Sequence, residues 1–204
     1  MIRLRREIVL GFLLSLWLGT IATGFCAWER YDSTPGEQVS RPPAIEPEGP
    51  GWMLAFYAHP KCPCLRAALA ELAEIAAATK GTLAIRVIFV RPAGKAPGWE
   101  RTPFWEQAAA IPGVAVTCDP EGEQARTVGA ATSGHAILYD PSGQPTFVGG
   151  ITRARGRLGS NVGERAILAL VADDEPTART APVFGCPLFT PSPCSLAPGE
   201  PCRR

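Results

Sequence analysis

Short apolar runs alternate with amphipathic stretches along the chain after residue 50. The run WMLAFYA has the length of a strand. It is followed by Leu65, Leu69, Leu72 and Ile75, whose spacing of three or four residues places them on one face of a helix. The β-branched run TLAIRVIFV then predicts a buried central strand. The first part of the domain is therefore predicted to be strand, helix, strand.

The same alternation continues to residue 173. WERTPFWEQAAA predicts a second helix, GVAVTCD a third strand, EGEQARTVGA a short helix and HAILYD a fourth strand. The turn PSG leads into QPTFVGGI, which is a candidate hairpin partner. NVGERAILALVAD predicts a last helix with an apolar face of Val162, Ile167, Leu168 and Val171. Because helices connect successive strands, we expect an α/β fold with a mixed central sheet flanked by helices.

An uncharged apolar run at residues 8–28 precedes this domain. As a helix it would cover the roughly 30 Å hydrocarbon core of a bilayer. Arg3, Arg5 and Arg6 lie before it, so residues 1–7 are predicted to stay in the cytoplasm. The run is therefore predicted to be a transmembrane anchor that places the domain on the extracytoplasmic, periplasmic side.

A cleaved signal peptide is the main alternative to a retained anchor. Ala22 and Gly24 form an acceptable small-x-small cleavage site, whereas bulky Phe25 disfavours a lipoprotein site at Cys26. The anchor and the signal peptide both deliver the domain to an oxidising compartment. The seven cysteines therefore need a redox explanation.

Composition divides the rest of the chain into three parts. Residues 29–50 are polar and proline-rich, which predicts a flexible linker. Residues 51–173 carry the alternating pattern of the folded domain. Residues 174–204 form a proline-rich tail outside the core, ordered if at all by docking or disulfides, with cysteines at positions 186, 194 and 202.

Charge and motifs exclude several function classes. A net charge of +1 gives no reason to expect a nucleic-acid partner. The sequence contains no G-x-S-x-G elbow, no P-loop and no G-x-G-x-x-G fingerprint, so hydrolase, nucleotide and dinucleotide functions have no starting point. The chemistry is therefore expected from the cysteines.

The segment MLAFYAHPKCPCLRAALAELAEIA resembles the first strand, redox motif and first long helix of the thioredoxin superfamily. EGEQARTVGAATSGHAILYDPSGQPTFVGGI resembles the later part of membrane-tethered thioredoxin-like proteins, and HPKCPC together with TSG through GGIT resembles the RedB group. The resemblance covers residues 51–173. It implies a thioredoxin-like three-layer sandwich, exchange with protein thiols or disulfides in the exported compartment, and no dissociable cofactor.

Cys62 and Cys64 are the candidate catalytic residues. A thiol at the start of a helix lies near the positive end of the helix dipole and near free backbone N–H groups, which stabilise the thiolate and lower the pKa from about 8.5. Thiolate is the nucleophile of disulfide exchange. Cys62 is favoured as the attacking sulfur and Cys64 as the resolving one. A bridge across one intervening residue closes a small ring, and strain in it would make the disulfide more oxidising.

The sequence departs from the thioredoxin pattern in two ways. Only Pro63 separates the two cysteines, where the family has two residues. The family's cis-proline before the fourth strand has no counterpart, and Gly134 occupies its approximate place. Ser133 and Gly134 are therefore predicted to bind substrate in an altered way.

Two other interpretations of Cys62 and Cys64 stay open. Both cysteines could be structural staples to Cys118 or to the tail. Alternatively they could bind Cu(I) or zinc together with His135, because soft thiolates select such ions and similar copper-delivery proteins use two cysteines and a histidine near the fourth strand. In that alternative the function is copper binding or delivery.

The other histidine and cysteines have weaker assignments. His59 and His135 are predicted to modulate the cysteines, and a protonated His59 would stabilise the Cys62 thiolate. Cys118 is either a buried inert thiol or a redox partner. The tail cysteines are predicted to staple the tail, to dock it over the site as a regulatory or shuttle arm, or to bind metal.

Overall fold

The computed structural model describes residues 2–38, 42–46 and 49–189. The chain divides into two compact units, the first covering Met1–Thr34 and the second beginning at Pro35. The predictions for Cys194 and Cys202 lie outside the described residues.

The first unit is a single helix, α1, which runs from Ile2 to Ser33. The segment Arg5–Ser33 reaches a mean hydropathy of 2.0, and none of its most apolar window is buried. Large apolar side chains such as Phe12 and Trp17 are well exposed along the helix. By length and composition this helix can cross a membrane, as residues 8–28 predicted.

The second unit contains one five-stranded sheet, in the order β3-β2-β1-β4-β5. The strands are β1 (Trp52–Ala58), β2 (Leu83–Arg91), β3 (Val114–Pro120), β4 (His135–Tyr139) and β5 (Pro145–Gly149). The helices are α2 (Leu65–Thr79), α3 (Pro103–Ala109), α4 (Glu123–Val128) and α5 (Val162–Val171). The predicted order of elements is confirmed.

The sheet is mixed, as predicted. β1 pairs with β2 and β2 with β3 in parallel, while β4 pairs antiparallel with both β1 and β5. Residues of α2, α3 and α5 share one apolar cluster with alternate residues of β1 and β2. Residues of α4 share a second cluster with the intervening strand residues. The sheet therefore separates two helical layers, and the three-layer sandwich is confirmed.

Two elements position the site. In β1, Leu54, Phe56 and Ala58 belong to the cluster under α2, while Ala55 and Tyr57 face the α4 side. This alternation buries both faces of the strand and fixes its end at Ala58. The chain then enters α2, whose predicted apolar face of Leu65, Leu69, Leu72 and Ile75 is fully buried. The cysteine motif lies in the short connection between these two elements.

Helix α5 packs three of its four predicted apolar residues, Ile167, Leu168 and Val171, against the core, but its most buried residues include small ones that were not predicted. Its buried residues are Gly163, Ala166, Ile167 and Leu170, while Val162 is exposed and Leu168 and Val171 are only half-buried. A Cβ added at Gly163 would collide with the Gly150 carbonyl, so the helix approaches the chain after β5 too closely for a side chain there. This close approach selects the small residues, which a pattern of large apolar residues does not reveal.

The chain on both sides of the domain contacts it. The Gly36 N–H donates to the Val183 carbonyl at 2.8 Å, and the Ile45 N–H donates to the Gly143 carbonyl at 3.0 Å. On the other side, Ala181 belongs to the core cluster of α2 and α5. The flexible linker stays a prediction, whereas the tail is docked at least from residue 179 to residue 188.

Candidate redox site

The connection from β1 to α2 places the two predicted cysteines at the start of the helix. The Cys62 N–H donates to the His59 carbonyl at 3.0 Å, and the Leu65 N–H donates to the Cys62 carbonyl at 3.1 Å. Cys64 is the residue that caps α2, and its carbonyl accepts a hydrogen bond from the Ala68 N–H at 3.3 Å. These turns place both cysteines at the N-terminal end of α2.

The two cysteines differ in exposure. Cys62 is completely buried and belongs to the core cluster under α2. Cys64 is half-buried and packs against the same cluster. Both are free thiols. A partner molecule can therefore contact Cys64 in this arrangement but not Cys62.

The structure brings a third cysteine, Cys186, to the site, which was one of the three alternatives predicted for the tail cysteines. The Cys186 N–H donates to Cys62 Sγ at 3.4 Å, and the thiols of Cys186 and Cys64 also hydrogen-bond to Cys62. Cys186 is a half-buried free thiol. The available signal was the apolar run VFGCPLF, residues 183–189, within a proline-rich tail. Such a run needs an apolar surface to cover it.

Hydrogen bonds divide the three thiols by acidity. The bonds that Cys186 and Cys64 donate hold the pKa of Cys62 far below its ordinary value, against the effect of burial. The same bonds raise the pKa of Cys64, because it donates its proton to Cys186 and Cys62, and burial raises it further. The pKa of Cys186 is also raised, chiefly by its bond to Cys62. The site thus favours one thiolate, on Cys62.

Ser133 and Gly134 lie directly opposite the cysteine motif. The Ser133 hydroxyl accepts a hydrogen bond from the His59 N–H at 2.9 Å, and the Gly134 N–H donates to the Tyr57 carbonyl at 2.8 Å. Gly134 has a φ of 98°, a value that favours glycine. Among the described residues no peptide bond is cis, so Gly134 does not reproduce a cis-proline.

No protein-family model matches the chain, and no curated protein matches it either. Among solved structures, a hypothetical protein from Sinorhizobium meliloti 1021 superposes with a TM-score of 0.58 at 20% identity, covering 77% of this chain and 96% of its own. An uncharacterised conserved protein from Geobacillus kaustophilus superposes with a TM-score of 0.57 at 18% identity, covering 78% and 94%. Identities this low show the fold alone.

Three features of this chain match the predicted thioredoxin-like pattern. They are the parallel β1-α2-β2 unit, the antiparallel β4-β5 hairpin and the cysteine pair at the start of α2. This chain has a thioredoxin-like fold.

His59 lies at the edge of the thioredoxin-like site. Its Nδ1 accepts a hydrogen bond from the Lys61 N–H at 3.2 Å, and its ring meets the Trp99 ring edge-on at 5.8 Å between centroids. Partial burial lowers its pKa below the ordinary 6.5, although the Cys62 charge opposes this. A neutral imidazole supplies no positive charge, so His59 contributes chiefly by fixing the backbone of the loop.

His135 occupies the opposite side of the sheet from Cys62. In β4 it alternates with Ala136 and shares a face with Ile137, which belongs to the α4-side cluster. It is fully buried, neither ring nitrogen has a hydrogen-bond partner among the described atoms, and burial lowers its pKa to about 4. The sequence analysis expected His135 near the cysteines, and the alternation of β4 directs it away from them.

The described residues contain one group of three side chains spaced to hold a metal ion, Glu71, Glu74 and Glu164. That group includes no cysteine and no histidine. Within the described part of the chain, Cys62, Cys64 and His135 therefore do not form the ligand set of the copper alternative. The geometry gives this alternative no support.

Cys118 lies apart from this site, near the end of β3. It is a half-buried free thiol that hydrogen-bonds to Glu100, and burial together with the Glu100 charge raises its pKa to about 11. Glu100 in turn lies 3.6 Å from the Arg91 guanidinium. Cys118 is therefore a weakly reactive thiol in this state.

Proposed function

We propose that the protein is an exported, membrane-tethered thiol–disulfide oxidoreductase in which Cys62 attacks and Cys64 resolves. The observation that carries the proposal is the hydrogen-bonding at Cys62, whose sulfur accepts bonds from Cys64 and Cys186. A thiolate held in this way at neutral pH is the reactive species of disulfide exchange.

The exchange has two steps. After the chain around Cys186 moves away from Cys62, the Cys62 thiolate attacks one sulfur of a substrate disulfide, which forms a mixed disulfide and releases the other substrate sulfur as a thiolate. The Cys64 sulfur then attacks Cys62 Sγ, the Cys64 proton passes to the departing substrate sulfur, and the Cys62–Cys64 disulfide forms. Run in reverse, the same steps oxidise a substrate dithiol.

The acidity order of the thiols suits these roles. The attacking sulfur needs to be ionised before it meets the substrate, and Cys62 has the lowered pKa. The resolving sulfur keeps its proton until the mixed disulfide forms, and Cys64 has the raised pKa. Loss of the Cys62 charge in the mixed disulfide removes the main acceptor of the Cys64 proton and makes Cys64 easier to ionise.

The export and the tether rest on α1. Its apolar length and the arginines at its N-terminal end support insertion with the domain outside the cytoplasm. A domain on that side meets proteins with disulfides, which supplies the substrate class. The partners are therefore protein thiols or disulfides in the periplasm.

A redox titration of the full chain in detergent tests the function. The protein is equilibrated in dithiol–disulfide buffers of graded potential, alkylated and mapped by mass spectrometry. We expect Cys62 and Cys64 to open and close together as one reversible couple, and the midpoint then gives the preferred direction of electron flow. The function is refuted when Cys62 and Cys64 stay reduced or unreactive across the whole range of potentials. Cys118→Ser is the matched control.

A further inference from the structure

The chain after α5 returns to the site and pairs with the backbone before β4. The Ser133 N–H donates to the Cys186 carbonyl at 2.8 Å, and the Leu188 N–H donates to the Ala131 carbonyl at 2.8 Å. Thr132 and Pro187 form an antiparallel bridge between the two segments. Residues 184–188, the return segment, therefore pair with the backbone before β4 as an added strand does in β-augmentation.

Side chains and backbone fit this return segment closely. A Cβ at Gly185 would collide with the Ser133 carbonyl, and the Arg155 guanidinium donates to the Gly185 carbonyl. Val183 and Leu188 are almost completely buried on either side of the exposed Pro187. The contact with Ser133 therefore requires a small residue at position 185, directly before Cys186.

This pairing brings Cys186 to Cys62 and closes the site. The Cys186 N–H and thiol both contact Cys62 Sγ, which has no exposed surface. A disulfide of another protein therefore cannot reach Cys62 while the return segment is in place. Cys186, by contrast, keeps part of its surface exposed.

We propose that Cys186 is a third redox-active cysteine and that the return segment docks in the place of a substrate peptide, so that the Cys62–Cys64 disulfide is passed to Cys62–Cys186 within one chain. This proposal rests on the proposed function, because exchange with a substrate disulfide supplies the oxidised Cys62–Cys64 pair. It makes the tail an internal substrate that protects Cys62 and carries its disulfide to the surface.

The internal step is a thiol–disulfide exchange without an external oxidant. The Cys186 sulfur attacks Cys62 Sγ, the Cys62–Cys64 bond breaks, and its electron pair leaves on Cys64. The proton of Cys186 passes to Cys64, to which Cys186 is already hydrogen-bonded. The products are a Cys62–Cys186 disulfide and a Cys64 thiol, so the number of disulfides is unchanged.

The second exchange then takes place at the surface. A thiolate of a partner protein attacks the partly exposed Cys186 Sγ, a mixed disulfide forms, and Cys62 leaves as the stabilised thiolate. A low-pKa thiol is a good leaving group, which favours release from Cys62. The second partner thiol then resolves the mixed disulfide and regenerates the Cys186 thiol.

The test uses the full chain in detergent with Cys64→Ser, so that only Cys62 remains in the tryptic peptide 62–66. Cys186 lies in the tryptic peptide 180–203 together with Cys194 and Cys202, and fragment ions assign the linked residue. After equilibration in an oxidising glutathione buffer and alkylation, we expect most Cys62 in the monomeric band to be linked to Cys186. Cys64→Ser combined with Cys186→Ser is expected to lose the link, whereas Cys64→Ser combined with Cys118→Ser keeps it.

The outcomes separate this proposal from the proposed function. Failure to find the Cys62–Cys186 link in Cys64→Ser, while the wild type shows a reversible Cys62–Cys64 couple, overturns the role of Cys186 and leaves the function intact. A Cys186 that is bridged to Cys194 or Cys202 at every potential likewise overturns the role of Cys186 and leaves the function intact. A wild type without any reversible couple overturns both.

Discussion

Cys62 and Cys118 are both cysteines close to the ends of β-strands, yet their surroundings give them opposite chemistry. Cys62 accepts hydrogen bonds from two thiols and from backbone N–H groups, and its pKa falls despite complete burial. Burial, together with the Glu100 carboxylate beside it, raises the pKa of Cys118 to about 11, although Cys118 is less buried than Cys62. Burial alone would raise both pKa values.

The comparison shows that the sign of the neighbouring groups, more than the degree of burial, decides which thiol is reactive. A sulfur surrounded by hydrogen-bond donors is stabilised as an anion. A sulfur beside a carboxylate is itself forced to be the donor, and it keeps its proton.

Removing each sulfur has the largest expected effect. Cys62→Ser is expected to lower the rate of disulfide exchange by roughly a hundredfold or more, since a serine hydroxyl cannot form the mixed disulfide. Cys118→Ser is expected to retain the wild-type rate. Reduction of a fluorescent glutathione disulfide by both full-length variants measures this. Equal losses of exchange rate in Cys62→Ser and Cys118→Ser would contradict the contrast between the two thiols.

Displacing the return segment from Cys62 has the next largest expected effect. Gly185→Val places a side chain against the Ser133 carbonyl and should displace the return segment, residues 184–188. Alkylation of Cys62 at neutral pH is then expected to accelerate about tenfold or more, because the return segment no longer limits access of the reagent to Cys62. The rate is read from labelled peptide 62–66 in a background of Cys64→Ser.

A milder pair of variants controls for misfolding in that experiment. Arg155→Ala removes the donor to the Gly185 carbonyl and should give a smaller increase in the alkylation of Cys62. Arg153→Ala changes an exposed arginine of the same loop and should give none. An unchanged alkylation rate in both Gly185→Val and Arg155→Ala would show that the segment does not protect Cys62.

The pH dependence of the two thiols has opposite signs. The lowered pKa of Cys62 means that its ionisation stabilises the fold above the unfolded value of about 8.5, and that this contribution is lost as pH falls through the folded pKa. The raised pKa of Cys118 stabilises the fold below the unfolded value, and that contribution is lost as pH rises through about 11.

Thiolate ultraviolet absorbance checks these signs directly. The difference between wild type and Cys62→Ser should show a thiolate at neutral pH, whereas the difference between wild type and Cys118→Ser should show one only in strongly alkaline solution. A neutral-pH spectrum that Cys62→Ser leaves unchanged would refute the assignment of the thiolate to Cys62.

The smallest expected effect is on Cys118 itself. Glu100→Gln removes the carboxylate charge that helps to raise its pKa, so alkylation of Cys118 in mildly alkaline buffer should increase about threefold. Glu106→Gln, an exposed glutamate of α3, is the control and should change nothing. If Cys118 reacts no faster in Glu100→Gln, burial alone accounts for its raised pKa.

Much of the fold was predictable because its elements are locally encoded. The strand lengths, the apolar face of α2 and the order of helices and strands all follow from periodicity along the chain. The position of Cys62 and Cys64 at the start of α2 follows in the same way, since the helix pattern begins directly after them. The buried face of α5 followed only in part, because the burial of Gly163 and Ala166 depends on how closely Gly163 approaches Gly150.

Two site features depended on contacts between distant parts of the chain. His135 was expected beside the cysteines, but the pairing of β4 with β1 directs it to the α4 side of the sheet. Cys186 was predicted to lie in a tail outside the core, with stapling, docking over the site and metal binding left open, and the apolar run around it covers Cys62 across a separation of 124 residues. No local pattern specifies either partner.

The sequence by itself determined a thioredoxin-like order of elements, an N-terminal helix able to cross a membrane, and a cysteine pair at a helix start, because each depends on residues within one helix or strand. Only the tertiary structure decided which sulfur is a thiolate and what covers it. Acidity depends on the donors around Cys62, and the decisive donor, Cys186, is brought there by backbone pairing with the segment before β4.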